Sequence, residues 1–355
     1  CSVGWANPGG GTVVSGSATI SSAGNLTTIN QSSNRAIINW KGFSIAPGET
    51  TQFVQPGANS AILNRVTGTQ MSQLMGTLQA NGNVYLINPN GILIGQGATI
   101  NAGGFTASTL DVNNADFMSG GDLTFSGTSK ASVINRGNVT ALGGDIFLIG
   151  AHVENHGVLN SIGGNVGLAA GQEVKLVDSS HQALVVRATD RSLGGTGVLN
   201  TGVISGVRAE LAANGGNVYA LAINNKGTVR ANGSVVKNGR VLLTAPGGTI
   251  ANSGDLIAKN ADGSGGEINI HTGESGLVTH TGNLNASGTT GGSVEVTAGS
   301  FDQLAAIQAS GSSGRGGDVT LNLGRDYTAT SAGDIEVRGT SGGDVIITAG
   351  RRIVT

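Results

Sequence analysis

Four aspartates stand in the same slot of a recurring phrase, directly after a glycine pair: Asp122, Asp145, Asp318 and Asp344. Carboxylates repeated on adjacent coils are what polysaccharide lyases and glycoside hydrolases need, where two or three of them share one face for general acid–base chemistry. In the other copies that slot holds Asn165, Asn217, Glu267 and Ser293, so the position selects a turn-compatible polar side chain rather than an ionised pair. The pattern argues against an enzyme, and no catalytic residue is assigned. Of the five histidines, His152 and His156 have the i, i+4 spacing that ligates a metal from a helix, with His181, His271 and His280 further on. Their surroundings read as strand and corner, where that spacing gives no shared face, so surface histidines and no metal site are expected. Glycine pairs would also suit a phosphate loop, yet no Gly-x-x-x-x-Gly-Lys-Ser/Thr occurs and strand follows each pair, so no nucleotide or other cofactor is expected. Asn25, Asn30, Asn138, Asn232 and Asn285 fit the glycosylation acceptor pattern, which a chain this rich in Asn, Ser and Thr produces by chance.

The elements that carry these residues follow from composition. The chain has 355 residues, 62 of them glycine and only 5 proline, with 38% hydrophobic, 11% charged and 3% aromatic residues. Glycine at more than twice its usual share of roughly 7%, without a Gly-X-Y period, excludes collagen, and the apolar content excludes a disordered chain. A core with so few aromatics must be built from Val, Ile, Leu and Ala, which suits thin repeated layers. The net charge of −2 is spread without a basic block, so nucleic acid is not a partner. No apolar run approaches the roughly 20 residues that cross a bilayer as a helix.

Self-similarity supplies the architecture. The second glycines of the phrase Gly-Gly-polar-apolar stand at 121, 144, 164, 216, 266, 292, 317 and 343, with Gly239 as a variant, giving steps of 23, 20, 52, 23, 27, 26, 25 and 26 residues. Between them recurs Asn-x-Gly, at Asn135, Asn155, Asn200, Asn225 and Asn252. Asn and Gly tolerate positive φ, so these read as corners between strands of four to six residues, and such a unit is one coil of a β-solenoid. At the roughly 4.8 Å strand spacing, about 15 coils would make a rod near 70 Å long. The doubled step predicts an excursion in which residues 176–187 form an extruded strand pair. Val207–Ala213 (VRAELAA) is the one stretch open to a helical reading. The expected fold is all-β: a right-handed parallel β-helix with an amino-terminal cap of extra strands and an extra-helical excursion near residues 176–214.

Residues 7–110 are specific rather than repetitive. INWKGFSI at 38–45, NRVTG at 64–68, LINPNGI at 86–92 and GFTAST at 104–109 fall in an order and spacing that resemble the secretion domain of two-partner-secretion exoproteins, the family of filamentous haemagglutinin-like adhesins and cytolysins. The resemblance covers about residues 8–175. It implies a capped right-handed β-helix, recognition in the periplasm by the soluble domains of a partner outer-membrane β-barrel, and export to the cell surface or medium. On this reading residues 1–6 are a leader remnant, with lipidation of Cys1 as the alternative. Residues 7–175 form the secretion domain, and residues 176–355 are the first passenger coils of a longer exoprotein. That exoprotein is expected to be a monomeric adhesin with a host or bacterial surface receptor or glycan as partner. A toxin stem and a carbohydrate-active β-helix are the alternatives. The residues singled out for transporter recognition or for structure are Asn64, Arg65, Val66, Asn88, Pro89, Asn90 and Gly91. Asn88-Pro89-Asn90-Gly91 is a strong turn sequence, and loss of the Asn88 side chain from a simple turn would cost about 1 kcal/mol. Asn64 and Arg65 read as a network in which Asn satisfies backbone groups at a corner and Arg pairs with a carboxylate or carbonyls.

Overall fold

Short β-branched and aliphatic runs separated by glycine corners leave each chain turn with nothing to bury its apolar face except the next turn, and stacked coils are the result. The computed structural model describes residues 7–176, 184–187, 196–213, 221–235 and 238–355. These fall into two compact units, the first within residues 1–164 and 169–189, the second within 165–168 and 190–355.

In the first unit three sheets each receive strands from successive coils. The first sheet runs Thr12–Ser15, Arg35–Trp40, Ala61–Val66, Asn83–Ile87, Gly104–Ser108, Ile146–Gly150. The second runs Ser72–Leu74, Ile92–Ile94, Ser132–Asn135, His152–Asn155, and the third continues from Ala18–Ala23 and Leu26–Gln31 through Thr50–Val54 to Val158–Ser161. Coil-to-coil pairing is parallel, as in Ala61–Val66 on Asn83–Ile87 and Thr99–Ala102 on Asn138–Ala141. The expected cap is present as two antiparallel additions, Thr12–Ser15 on Arg35–Trp40 and Ala18–Ala23 on Leu26–Gln31. Inward ladders such as Ala36, Ile62, Val84, Phe105 and Ile146 are fully or nearly fully buried and hold the layers together, each large aliphatic contributing about 1.5–3 kcal/mol.

The excursion is an antiparallel sheet of Asp111–Val112, Leu123–Ser126, Glu173–Leu176 and Leu184–Arg187. It starts earlier in the chain than the doubled glycine step indicated. Residues 177–183 and 188–195 of the expected excursion lie outside the described residues, and coil strands have resumed by Val198–Asn200. A helix, Asn114–Ser119, joins the first two of these strands, with Asn113 Oδ1 accepting from Ala115 N at 2.7 Å and Gly120 closing its end at φ 82°. Arg208–Ala213, open to a helical reading in the sequence, is instead a strand whose Ala209 and Leu211 point into the core. Tertiary burial of alternate residues outweighs the helix propensity of Ala, Glu and Leu.

In the second unit the same plan repeats. The first sheet runs from Arg208–Ala213 to Val345–Ala349, the second from Val198–Asn200 to Arg352–Val354, and the third from Val203–Gly206 to Ile335–Glu336. Two expectations are corrected. The Asn-x-Gly and Gly-Gly positions were expected to need positive φ. Among the described residues no non-glycine residue has it, and Gly137, Gly157, Gly227, Gly254, Gly266, Gly292 and Gly317 do not either. Glycine is required there because of close approach. A Cβ on Gly254 would run into the Gly227 carbonyl oxygen, one on Gly282 into that of Gly254, and one on Gly317 into that of Gly292. The asparagines Asn135, Asn155, Asn200, Asn225 and Asn252 are buried rungs of an interior ladder rather than left-handed corners. Likewise His280, expected at the surface, is fully buried, whereas His271 is exposed; His181 lies outside the described residues.

The glycine columns yield a test. Gly254→Ala should destabilise by about 2–3 kcal/mol, because its methyl meets backbone that cannot move aside. Gly143, whose Cβ would face open space at ordinary φ, should tolerate alanine within about 0.5 kcal/mol. Equal shifts of the two urea midpoints would refute close approach as the reason for glycine.

Candidate functional site

The four distinctive strings occupy four neighbouring strands of the first sheet: Arg35–Trp40, Ala61–Val66, Asn83–Ile87 and Gly104–Ser108. Because the strands stack in register, residues far apart in sequence become neighbours. Asn64 lies opposite Ile38 and Leu86, and Arg65 opposite Asn39 and Ile87. That register sets the end of NRVTG beside the start of NPNG, at one corner of two successive coils.

Each polar side chain there has a definite task. Asn64 sits mid-strand, not at a corner, and is fully buried in the inward row. Its Oδ1 accepts from Trp40 Nε1 at 3.0 Å and its Nδ2 donates to the Tyr85 carbonyl at 3.3 Å. It thereby satisfies the one polar atom of an indole that packs edge-on against Phe43 with ring centroids 5.6 Å apart. Arg65 faces outward. Its Nε donates to Asp111 Oδ1 and its Nη2 to the Val112 carbonyl, both at 2.9 Å, with only 14% of the side chain exposed. The carboxylate and carbonyl pairing expected of it is what fastens the excursion strand Asp111–Val112 to the sheet. Val66 is core, Thr67 Oγ1 donates to the Trp40 carbonyl at 3.0 Å, and a Cβ on Gly68 would strike the Lys41 carbonyl.

At the second string, Asn88 is fully buried and makes four side-chain hydrogen bonds. Nδ2 donates to the Gln70 carbonyl at 2.9 Å and to Ser72 Oγ at 3.0 Å, while Oδ1 accepts from Asn90 N at 2.9 Å and Asn90 Nδ2 at 3.0 Å. The main chain closes the turn with Gly91 N donating to the Asn88 carbonyl at 3.0 Å, and Gly91 adopts φ 109°. Asn90 Nδ2 also donates to the Gly68 carbonyl at 2.9 Å, which ties the two strings together directly. Only Pro89 and Asn90 are exposed, and the Pro89 carbonyl accepts from Ser129 Oγ at 2.6 Å. Asn88 N in turn donates to the Ser108 carbonyl at 2.9 Å, joining GFTAST to the same patch.

Above the outer face of this sheet lies the short helix. Phe117 packs against Tyr85 with ring centroids 5.2 Å apart, and the Arg35 guanidinium lies 5.2 Å from the Phe117 ring centre while donating to its carbonyl at 2.8 Å. Ile37 and Leu63, outward by alternation, are therefore fully buried.

Sequence reasoning missed Asp111, Gln70, Ser72 and the covering helix. One signal was available for Asp111. Arg65 is the sole cation between Lys41 and Lys130, and Asp111 is the first carboxylate after Glu49, so the pair was electrostatically predictable. Elsewhere, three of the aspartates after glycine pairs form surface ion pairs: Arg315 bridges Asp318 and Asp344 at 2.9 Å each, and Lys175 reaches Asp122 at 3.0 Å. His156 lies 2.8 Å from Glu154 Oε2. Among the described residues no three His, Cys, Asp or Glu side chains converge on a point that could hold a metal.

Comparison with known proteins places these features in context. A family model for the TPS secretion domain matches residues 6–258. A heme/hemopexin-binding protein of Haemophilus influenzae is 35% identical over 259 residues, covering 70% of this chain and 28% of that protein. A second Haemophilus influenzae protein of the same description is 48% identical over 85 residues, 24% of this chain and 9% of its own length. The chain thus spans less than a third of the curated relatives it matches. The crystal structure of the HMW1 secretion domain from Haemophilus influenzae superposes with a TM-score of 0.82 at 32% identity, over 98% of both chains.

Four hydrogen bonds made by a buried side chain raise the expected role of Asn88 above that of a simple turn residue. Asn88→Ala strands the Gln70 carbonyl, Ser72 Oγ and Asn90 N–H and should cost about 2–3 kcal/mol, whereas Pro89→Ala at the exposed tip should cost at most about 1 kcal/mol. Urea unfolding of the two variants checks this, and an Asn88→Ala midpoint no lower than that of Pro89→Ala would contradict it.

Proposed function

This chain belongs to the TPS secretion domain family, and from that premise we propose that the corner formed by NRVTG and NPNG is the address a partner outer-membrane β-barrel reads on the chain before its coils close. Membership makes the chain the secretion-targeting domain of a large exoprotein, exported with a dedicated partner transporter and then secreted or held at the surface. It is a family of secretion domains, not of enzymes.

The observation that carries the proposal is the burial of Asn64, in the strand leading into the corner, and of Asn88 at the corner itself, where Asn90 ties the two strings together. Their side chains face inward once the coils stack, so a transporter that reads them must meet the chain in the periplasm while they are still free. In the finished fold the same corner exposes Thr67, Pro89 and Asn90 to solvent but neither asparagine side chain that the transporter would read. Passage in an open state also suits the architecture, because each coil is stabilised by its neighbours and can form as successive lengths emerge.

The second unit repeats one coil plan with inward apolar ladders, which suits a stem that carries a binding surface away from the cell. Adhesion to a host or bacterial surface receptor or glycan is the role proposed for the parent protein.

Because Asn64→Ala and Asn88→Ala alter stability as well as sequence, the decisive assay uses unfolded chain. Binding of the urea-unfolded protein, diluted onto the purified periplasmic domains of its transporter, should weaken at least about tenfold for Asn88→Ala and for Asn64→Ala, a loss on the order of 1.4 kcal/mol. Export from cells should fall with it, while Pro89→Ala keeps both. Wild-type binding by both asparagine variants would make the corner purely structural and move recognition elsewhere, for example to the open edges of Thr12–Ser15 and Ala18–Ala23.

A further inference from the structure

The second sheet of the second unit carries one polar row through an otherwise apolar interior: Asn200, Asn225, Asn252, His280 and Gln303 lie in register on successive coils, all buried. Asn200 Nδ2 donates to Asn225 Oδ1 and Asn225 Nδ2 to Asn252 Oδ1, both at 2.7 Å. This leaves Asn252 Nδ2 as the donor towards His280 Nδ1, 3.2 Å away. On its far side, His280 Nε2 lies 3.3 Å from the Ala306 carbonyl, which can only accept. The ladder therefore assigns the imidazole one state, with the proton on Nε2 and the lone pair on Nδ1.

We propose that His280 is a pH-sensitive joint in the second unit: its coils are locked while the imidazole is neutral and loosen when it takes up a second proton. A proton on Nδ1 would face the Asn252 amide donor. Turning that amide would bring its Nδ2 against the Nδ2 of Asn225, and correcting this in turn would pass the mismatch on to Asn200. Asn225 and Asn252 also donate to the Gly227 and Gly254 carbonyls, which resists such a rotation. The charge would moreover arise in a core that cannot solvate it.

Among the described residues no opposing charge waits to receive it. The strand below contributes Asn252, and the strand above contributes Gln303 and Phe301, whose ring centroid is 6.5 Å from that of the imidazole. One coil further, Tyr327 donates from its hydroxyl to Gln303 Oε1 at 2.8 Å, and burial raises its pKa so that it stays neutral. Asp302 is in register with Thr279 in the alternate, outward row, and Asp334 meets Gln303 through its backbone carbonyl. Burial accordingly holds the His280 pKa below its ordinary value, the backbone hydrogen bonds with Ala306 and Asn252 opposing only in part. The unfolded chain, with an ordinary histidine pKa of about 6.5, binds the proton more readily than the folded one. Stability from this residue is thus complete above about pH 6.5 and is lost as pH falls towards the lower folded value.

Hydrogen exchange of the backbone amides in Leu277–His280 and Ser300–Gln303, corrected for intrinsic rates, tests the joint between pH 7.5 and pH 5.0. In the wild-type chain protection should fall by up to about tenfold per pH unit below pH 6.5. His280→Asn, which keeps an acceptor at the rung, should remove that fall relative to wild type, and His271→Asn, at an exposed position, should leave it. Imidazole nitrogen resonances of the wild-type protein provide a reading independent of whether the variant folds. They should show His280 as the Nε2–H tautomer, titrating only below the ordinary histidine midpoint. The same pH dependence in His280→Asn, or a folded His280 that titrates with an ordinary midpoint, would overturn the proposal.

Discussion

The structure depends on one distance. Parallel strands joined by backbone hydrogen bonds stand about 4.8 Å apart, and every coil must hold that separation from the next around its whole circumference. Along the flat sheets alternate side chains fill the gap with Val, Ile and Leu. At the corners the backbone itself turns into the neighbouring coil, and there is no room for a Cβ between Gly227, Gly254 and Gly282 or between Gly266, Gly292 and Gly317. The abundance of glycine is therefore a packing requirement first. Positive φ accounts for separate sites such as Gly91, Gly120 and Gly273.

The same spacing explains why the first unit has a vocabulary of its own. Its first sheet is covered on both faces, by the coil interior within and by the helix Asn114–Ser119 and the excursion strands without. Ile37 and Leu63 then become as buried as Ile38, and the distinctive polar residues are each held by partners: Asn64 by Trp40, Arg65 by Asp111, Asn88 by Gln70 and Ser72. A strand buried on one side can be written in many ways, whereas one buried on both sides around fixed hydrogen bonds cannot.

Reading from sequence succeeded where a signal repeats and failed where partners come from elsewhere in the chain. The glycine period and the alternating strands defined a solenoid, and the doubled step located the strand pair Glu173–Leu176 with Leu184–Arg187. The helix escaped because Asn113 and Gly120 are its only marks and six residues give no period. The Asn-x-Gly phrase was placed correctly but explained wrongly. Local preference suggests a left-handed corner, and only the stacked coils reveal that Asn135, Asn200, Asn225 and Asn252 each find a side-chain partner one coil on. His280 was assigned to the surface because nothing near it in sequence indicates that it continues a row begun at Asn200.

The interior amide row also acts as an alignment key. A strand slipped by one residue against its neighbour would still find backbone hydrogen bonds, and in sequences this uniform in Val, Ile, Ala and Thr the apolar penalty of some slips would be small. The row forbids them. Asn225 can meet the donor of Asn200 only in the single frame that also sets Ile223 on Val198, and any other frame leaves a buried amide without a partner, at about 1–3 kcal/mol per rung. Each completed coil thus fixes where the next must begin, and errors in a long monotonous chain are corrected one turn at a time instead of accumulating along it.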